Sequence, residues 1–152
     1  MKRFIIKYIY TLSRAFWLLI NPLSVGVRIL LIRNSQIILV KHVYEDCWYL
    51  PGGLVERGES LEFAVRRESL EEVGAQIRNL ALFGAYSNHH TGKRDHVIVF
   101  ISKDFDISGK TDEEIEQWGF FDLHALPDNM SAGSSKRIQE YIDDQQRRYG
   151  DW

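Results

Sequence analysis

The chain has 152 residues, of which 45% are hydrophobic and 26% charged, with a formal net charge of −2. That length suits one domain with a real core, and the near-neutral charge excludes a broadly basic surface, so no nucleic-acid partner is expected. The single cysteine, Cys47, can form no internal disulfide and lacks the partners of a Cys/His zinc site, which favours a cytoplasmic setting.

Residues 2–20 form the most apolar stretch, KRFIIKYIYTLSRAFWLLI. Lys7 and Arg14 interrupt it, and no small-residue cleavage site follows, so it reads as neither a membrane span nor a signal peptide. Ile5, Ile9, Leu12, Phe16 and Leu19 recur at helical spacing, predicting an amphipathic N-terminal helix over 1–21 that Pro22 ends. Two uses are open to it: packing on the domain or in a homodimer, or lying on a membrane surface with its basic residues at the headgroups.

Val27–Ile32 and Gln36–Lys41 are runs of branched apolar residues around Arg33-Asn34-Ser35, which predicts a β-hairpin covered on both faces. Arg28 and Lys41 are odd charges in such a sheet: each either reaches out to solvent or faces a phosphate. His42–Leu50 reads as a turn and a short aromatic strand, whose Tyr44, Trp48 and Tyr49 either fill core or stack on a base. A helix follows from about Ser60 to Val73. Ile77–Tyr86 and Asp95–Ser102 read as antiparallel partners, joined by a loop carrying His89, His90, Lys93 and Arg94. Those two histidines read as solvated, and Lys93 and Arg94 as solvated or in contact with phosphate. Glu113–Phe121 predicts a further strand, Asp122–Pro127 a short helical turn, and Ser134–Arg148 a final amphipathic helix capped by Ser134 or Ser135. The outline is βββ-α-βββ-α, a mixed α/β domain.

The central helix groups its acids. At ~100° per residue, Glu68, Glu71 and Glu72 fall within an arc of roughly 100°, and like charges at i,i+3 and i,i+4 destabilise a helix unless something compensates. Clustered carboxylates are ligands for hard divalent cations. The stretch from Gly53 to Ala75 fits G-x5-E-x7-R-E-U-x-E-E-x-G-U, with U bulky and aliphatic, through Gly53, Glu59, Arg67, Glu68, Glu71, Glu72 and Gly74. Ser69 and Ala75 stand at the two U positions.

This stretch resembles the Nudix box, the signature of the Nudix hydrolases. The resemblance implies an α/β/α sandwich with a mixed β-sheet over residues 22–150. It also implies hydrolysis of a pyrophosphate bond in a nucleoside diphosphate-linked compound with Mg²⁺ or Mn²⁺. Glu68, Glu71 and Glu72 then look like metal-binding acids, joined by the carbonyl of Gly52. Glu59 and Arg67 resemble the pair that fixes the loop against the helix, with Gly53 and Gly74 shaping its ends. Water attacking phosphorus needs a proton acceptor, for which Glu71 or Glu68 is expected, or an acid from a later loop such as Glu114. ADP-ribose or another nucleotide sugar is the first substrate expected and a nucleoside triphosphate the second. ADP-ribose-cleaving subfamilies often carry a proline past the box, where this chain has Thr91. The competing expectation is a catalytically silent nucleotide-binding domain, though every box acid is present. A third is a membrane-recruited hydrolase using residues 2–20.

Overall fold

The structure is a computed structural model that describes residues 23–89, 94–109, 111–145 and 148–152, without the side chain of Arg94. The helix expected over residues 1–21 lies outside the described residues. β1 (Leu23–Arg33) and β2 (Gln36–His42) form the expected hairpin, with Asn34 and Ser35 at φ 50° and 61° in its turn. Positive φ at both central residues matches the right-handed twist of the flanking strands. β1 starts at Leu23, ahead of the expected Val27, because it pairs in parallel with β5 (Arg94–Ile107) along residues 23–31.

The hairpin pairing is confined to Ile32–Ile37 and Arg33–Gln36. Beyond it the strands part, and β2 pairs with β6 (Ile115–Asp122) on one side and with β3 (Trp48–Tyr49) on the other. β4 (Ala75–Asn88) lies antiparallel to β5, and β7 (Tyr149–Asp151) is parallel to β4. The sheet is therefore mixed, in the order β3-β2-β1-β5-β4-β7 with β6 on β2.

Alternation along the strands makes two cores. Val27, Ile29, Leu31, Ile38 and Val40 face α1 (Leu61–Val73) and meet its Ala64, Val65 and Val73. Leu30, Ile32, Ile37 and Leu39 face the other way and meet Ile138 of α2 (Ala132–Ile142). This is the α/β/α arrangement. Ser69, at a position where the box pattern asks for an aliphatic residue, is fully buried, and its hydroxyl donates to the Val65 carbonyl at 2.6 Å.

Three local expectations are corrected. Asp122–Pro127 forms a turn and no helix. The final helix starts earlier than Ser134 because Ser131 is the N-cap, and it ends at Ile142, well short of Arg148. Asp144 takes a positive φ of 48°, and the chain turns back to lay β7 on β4. On the covered face of α2, Arg137 is fully buried: it pairs with Glu140 at 2.7 Å and lies 3.7 Å over the Tyr86 ring.

α1 begins at Ser60, whose hydroxyl accepts from the Phe63 amide at 3.1 Å, and ends at Gly74 in the left-handed region, φ 65°. The Gly74 amide donates to Leu70 at 2.9 Å, and its carbonyl accepts from the Ser108 amide, also at 2.9 Å. A Cβ there would cost about 1–2 kcal/mol. Gly74→Ala should lower the urea midpoint correspondingly at unchanged slope; an unchanged midpoint would show that this cap is not used in solution.

Candidate active site

The site is assembled where β1 leaves β2. The amides of Val27 and Ile29 need partners that β2 no longer supplies, and the loop after β3 provides them. Val27 donates to Gly53 O at 2.9 Å and Ile29 to Pro51 O at 3.0 Å, while Val55 donates to Val25 O at 2.9 Å. Gly52 has φ 133°, and a Cβ on it would sit 2.2 Å from the Val27 carbonyl oxygen. A Cβ on Gly53 would sit 2.5 Å from a carboxylate oxygen of Glu68. Only glycine lets this backbone lie between β1 and the acidic face of α1.

The three acids of α1 differ in exposure: the side chain of Glu72 is 5% exposed, Glu68 15% and Glu71 47%. Glu72 Oε2 accepts from the Gly52 amide at 2.7 Å. Burial pushes the Glu72 carboxyl up to about 8, against the opposing effects of Arg28 and the Gly52 amide. Burial also raises Glu68, although Arg67 works against it. Arg67 binds Glu59 through two parallel contacts, Nε to Oε1 at 2.7 Å and Nη2 to Oε2 at 3.0 Å. Its Nη1 donates to Glu68 at 2.9 Å and to Glu71 at 3.0 Å, and its Nη2 reaches the Leu54 carbonyl at 3.2 Å.

The carboxylates do not converge: among the described residues, no three His, Cys, Asp or Glu side chains gather as a metal-holding cluster. Like charges repel, and here each acid has its own donor, Arg67 for Glu68 and Glu71 and Gly52 for Glu72. The donor set nonetheless fits a hard divalent cation, since the oxygens lie on adjoining turns and the ionised form of buried Glu72 calls for more positive charge.

Of the other residues singled out in the sequence, Arg28 donates to the carbonyls of Leu50, at 3.1 Å, and Gly52. Its charge acts on Glu68 and Glu72. Lys41 follows Val40, so alternation turns it to the face away from α1, where it pairs with exposed Asp46. The Glu114 carboxyl is raised by burial, then by the charges of Asp112 and Glu71. Asp112 donates its amide to the Glu71 carbonyl at 2.9 Å, tying this loop to α1. Lys93 and the side chain of Arg94 lie outside the described residues. Tyr49 is half-buried against the core under α1, and Trp48 packs edge-on to Phe121 at 4.7 Å, both as core-filling aromatics.

The sequence reading missed His42 and Asp112. His42 is buried with Nε2 3.6 Å from Glu72 Oε1, and burial followed by the Arg28 charge lowers its pKa to about 4. Its signal was available, since it continues the α1-facing alternation of Ile38 and Val40. Asp112, the first acid of the run Asp112-Glu113-Glu114, gave no signal that set it apart from its neighbours.

A family model described as NUDIX domain matches residues 22–141. The chain belongs to the Nudix hydrolases. An ADP-ribose pyrophosphatase of Methanocaldococcus jannaschii is 34% identical to this Nudix chain over 137 residues, covering 85% of the chain and 78% of that protein. An NAD-capped RNA hydrolase of Chromobacterium violaceum is 32% identical over 108 residues, 69% of the chain but only 40% of its own length. The crystal structure of a MutT Nudix hydrolase from Burkholderia pseudomallei superposes with a TM-score of 0.70 at 26% identity, covering 78% of this chain and 97% of that one.

The Glu59–Arg67 pair carries a pH prediction. Glu59 is held below the usual carboxylate range, first by its bonds to Arg67 and then by the Glu56 amide. A lowered carboxylate contributes stability that is present above its unfolded pKa and is lost as pH falls through its folded one. Limited proteolysis of the 51–60 loop should therefore stay slow through mildly acidic pH and quicken only below the usual carboxylate range. Arg67→Lys, which keeps the charge but loses the fork, should make the loop labile at neutral pH as well. Equal cleavage of variant and parent would count against the clamp.

Proposed function

We propose that this Nudix chain hydrolyses the pyrophosphate bond of a nucleoside diphosphate-linked compound with the help of a divalent cation. The observation that carries the reading is the placing of Glu72 against the Gly52 amide, beside Glu68 and Glu71 on one helix face. Mg²⁺ or Mn²⁺ held by Glu68, Glu71, Glu72 and the Gly52 carbonyl would neutralise phosphate oxygens and polarise the attacking water.

The chain's own groups account for the remaining steps. Water forms a new P–O bond as the bridging P–O bond breaks, its proton passes to a carboxylate, and the leaving phosphate takes the bridging electron pair. Glu71, the most exposed of the three acids, is best situated to meet that water; Glu68 and Glu114 are the alternatives. Arg67 holds Glu68 and Glu71 in place through its Nη1. Arg28, whose charge acts on Glu68 and Glu72, is the proposed phosphate contact on this side, although here it serves the Leu50 and Gly52 carbonyls.

ADP-ribose or another nucleotide sugar is the first substrate, a reading supported by the archaeal relative named for ADP-ribose. A nucleoside triphosphate is second. Thr91, in place of the proline common in ADP-ribose-cleaving subfamilies, weighs the other way but touches selectivity rather than bond cleavage. The silent, nucleotide-binding alternative is disfavoured by an intact set of box acids. Among the described residues no helix is long and apolar enough to cross a membrane. The domain is proposed to run from residue 22 to about residue 150, in a cytoplasmic setting, and residues 2–20 are proposed to serve a homodimer or a membrane surface.

A screen of ADP-ribose, nucleotide sugars and nucleoside triphosphates with Mg²⁺ and with Mn²⁺ tests the proposal. Turnover should vanish with chelator and return with either metal. Glu71→Gln should retain the fold by circular dichroism and lose at least about 100-fold in kcat. Near-normal turnover would move the base to Glu68 or Glu114, and metal-independent turnover would defeat the reading.

A further inference from the structure

Glu72 has a protein group at each carboxylate oxygen. The Gly52 amide donates to Oε2 at 2.7 Å, and His42 Nε2 stands 3.6 Å from Oε1. The imidazole is built into this place: the Tyr44 ring stacks on it at 5.0 Å and 15°, and the Tyr49 ring packs at 5.8 Å and 58°. Its other nitrogen, Nδ1, is buried and has no hydrogen-bond partner among the described residues.

A neutral imidazole carries one proton. On Nδ1 that proton would be a buried donor facing nothing, whereas on Nε2 it points at a carboxylate oxygen. With Glu72 ionised, as a metal-ligating carboxylate must be, the surroundings therefore select the Nε2–H tautomer. At 3.6 Å the contact is longer than a formed hydrogen bond, and a carboxylate swing of a few tenths of an ångström closes it. Carboxylates that ligate metals are themselves commonly held by outer donors, which set the direction of the remaining lone pairs.

We propose that His42 is a positioning residue for Glu72, donating from Nε2 so that the carboxylate is fixed between His42 and Gly52 and presents its free lone pairs to the cation. This rests on the reading of Glu72 as a metal ligand. His42 is buried behind Glu72, so its influence runs through metal affinity.

The test is Mn²⁺ titration of the metal-free protein, following free Mn²⁺ by electron paramagnetic resonance, for the parent, Glu72→Gln, His42→Phe and His42→Gln. Glu72→Gln should weaken binding. His42→Phe, which fills the space without a donor, should weaken it about tenfold or more, while leaving KM for the nucleotide unchanged at saturating metal. His42→Gln, whose amide can donate from nearly the same point, should recover most of the loss. Unchanged Mn²⁺ binding in Glu72→Gln would overturn the metal reading of Glu72 and this inference with it. A weakened Glu72→Gln beside an unaffected His42→Phe would overturn the role of His42 alone, as would equal losses in His42→Phe and His42→Gln. Nitrogen-15 spectra of the Mg²⁺-loaded parent protein provide a check that needs no variant. They should show the His42 proton on Nε2, and a proton on Nδ1 would overturn the proposal even if the variants failed to fold.

Discussion

A strand that loses its neighbour must find other partners for its amides, and the site grows from that constraint. β1 separates from β2 after two paired positions, and the amides of Val27 and Ile29 are taken by the carbonyls of Gly53 and Pro51. The loop is thereby laid against β1 as if it were a short strand. Its path leaves no room for side chains at 52 and 53, since a Cβ at one would strike the Val27 carbonyl and at the other the Glu68 carboxylate. With the backbone fixed, the Gly52 amide faces Glu72 at 2.7 Å. The acidic helix is thus oriented by main-chain bonding before any ligand is considered.

The second organising group is one guanidinium. Arg67 answers the repulsion that the bare pattern of acids predicts: it serves Glu68 and Glu71 from one nitrogen and holds Glu59 with a fork. A planar fork can do this where an ammonium cannot, because its donors have fixed and different directions. The three acids then divide by exposure. Glu72 is held inside by the Gly52 amide with His42 beside it, Glu68 lies under the loop, and Glu71 looks to water. That gradient matches a division between holding a cation and handling a proton.

Much of this was legible in the residues, for identifiable reasons. The hairpin, the central helix and the β4–β5 pair were readable because apolar periodicity and turn chemistry agree there. Gly74 ended the helix as expected because only a residue tolerant of positive φ fits. The final helix was misplaced because Ser131, Ser134 and Ser135 are all plausible caps, and the choice depends on tertiary packing. β7 was missed because Tyr149–Asp151 is too short to show a period and exists only by pairing with β4. Arg137 eluded the reading for another reason: a buried arginine looks like a surface one in sequence, and only the Glu140 carboxylate and the Tyr86 ring make its burial tolerable.

The site was legible where chemistry is carried by spacing along one helix and illegible where it is carried by pairing across elements. Arg28 was read as either a solvent-reaching cation or a phosphate ligand, and in this structure it spans the Leu50 and Gly52 carbonyls because β1 and the loop lie side by side. Lys41 was open to the same two readings, and strand alternation sends it to the far face. Asp112 and Glu114 join the acids through two backbone bonds, Asp112 to the Glu71 carbonyl and Val43 to the Glu114 carbonyl, which tie the start of β6 to both α1 and the end of β2. Those bonds link His42, one residue before Val43, to the same frame that fixes Glu71. The later acid and the buried histidine are therefore held by one continuous backbone, and displacing that turn would disturb the outer and inner sides of the acidic helix together.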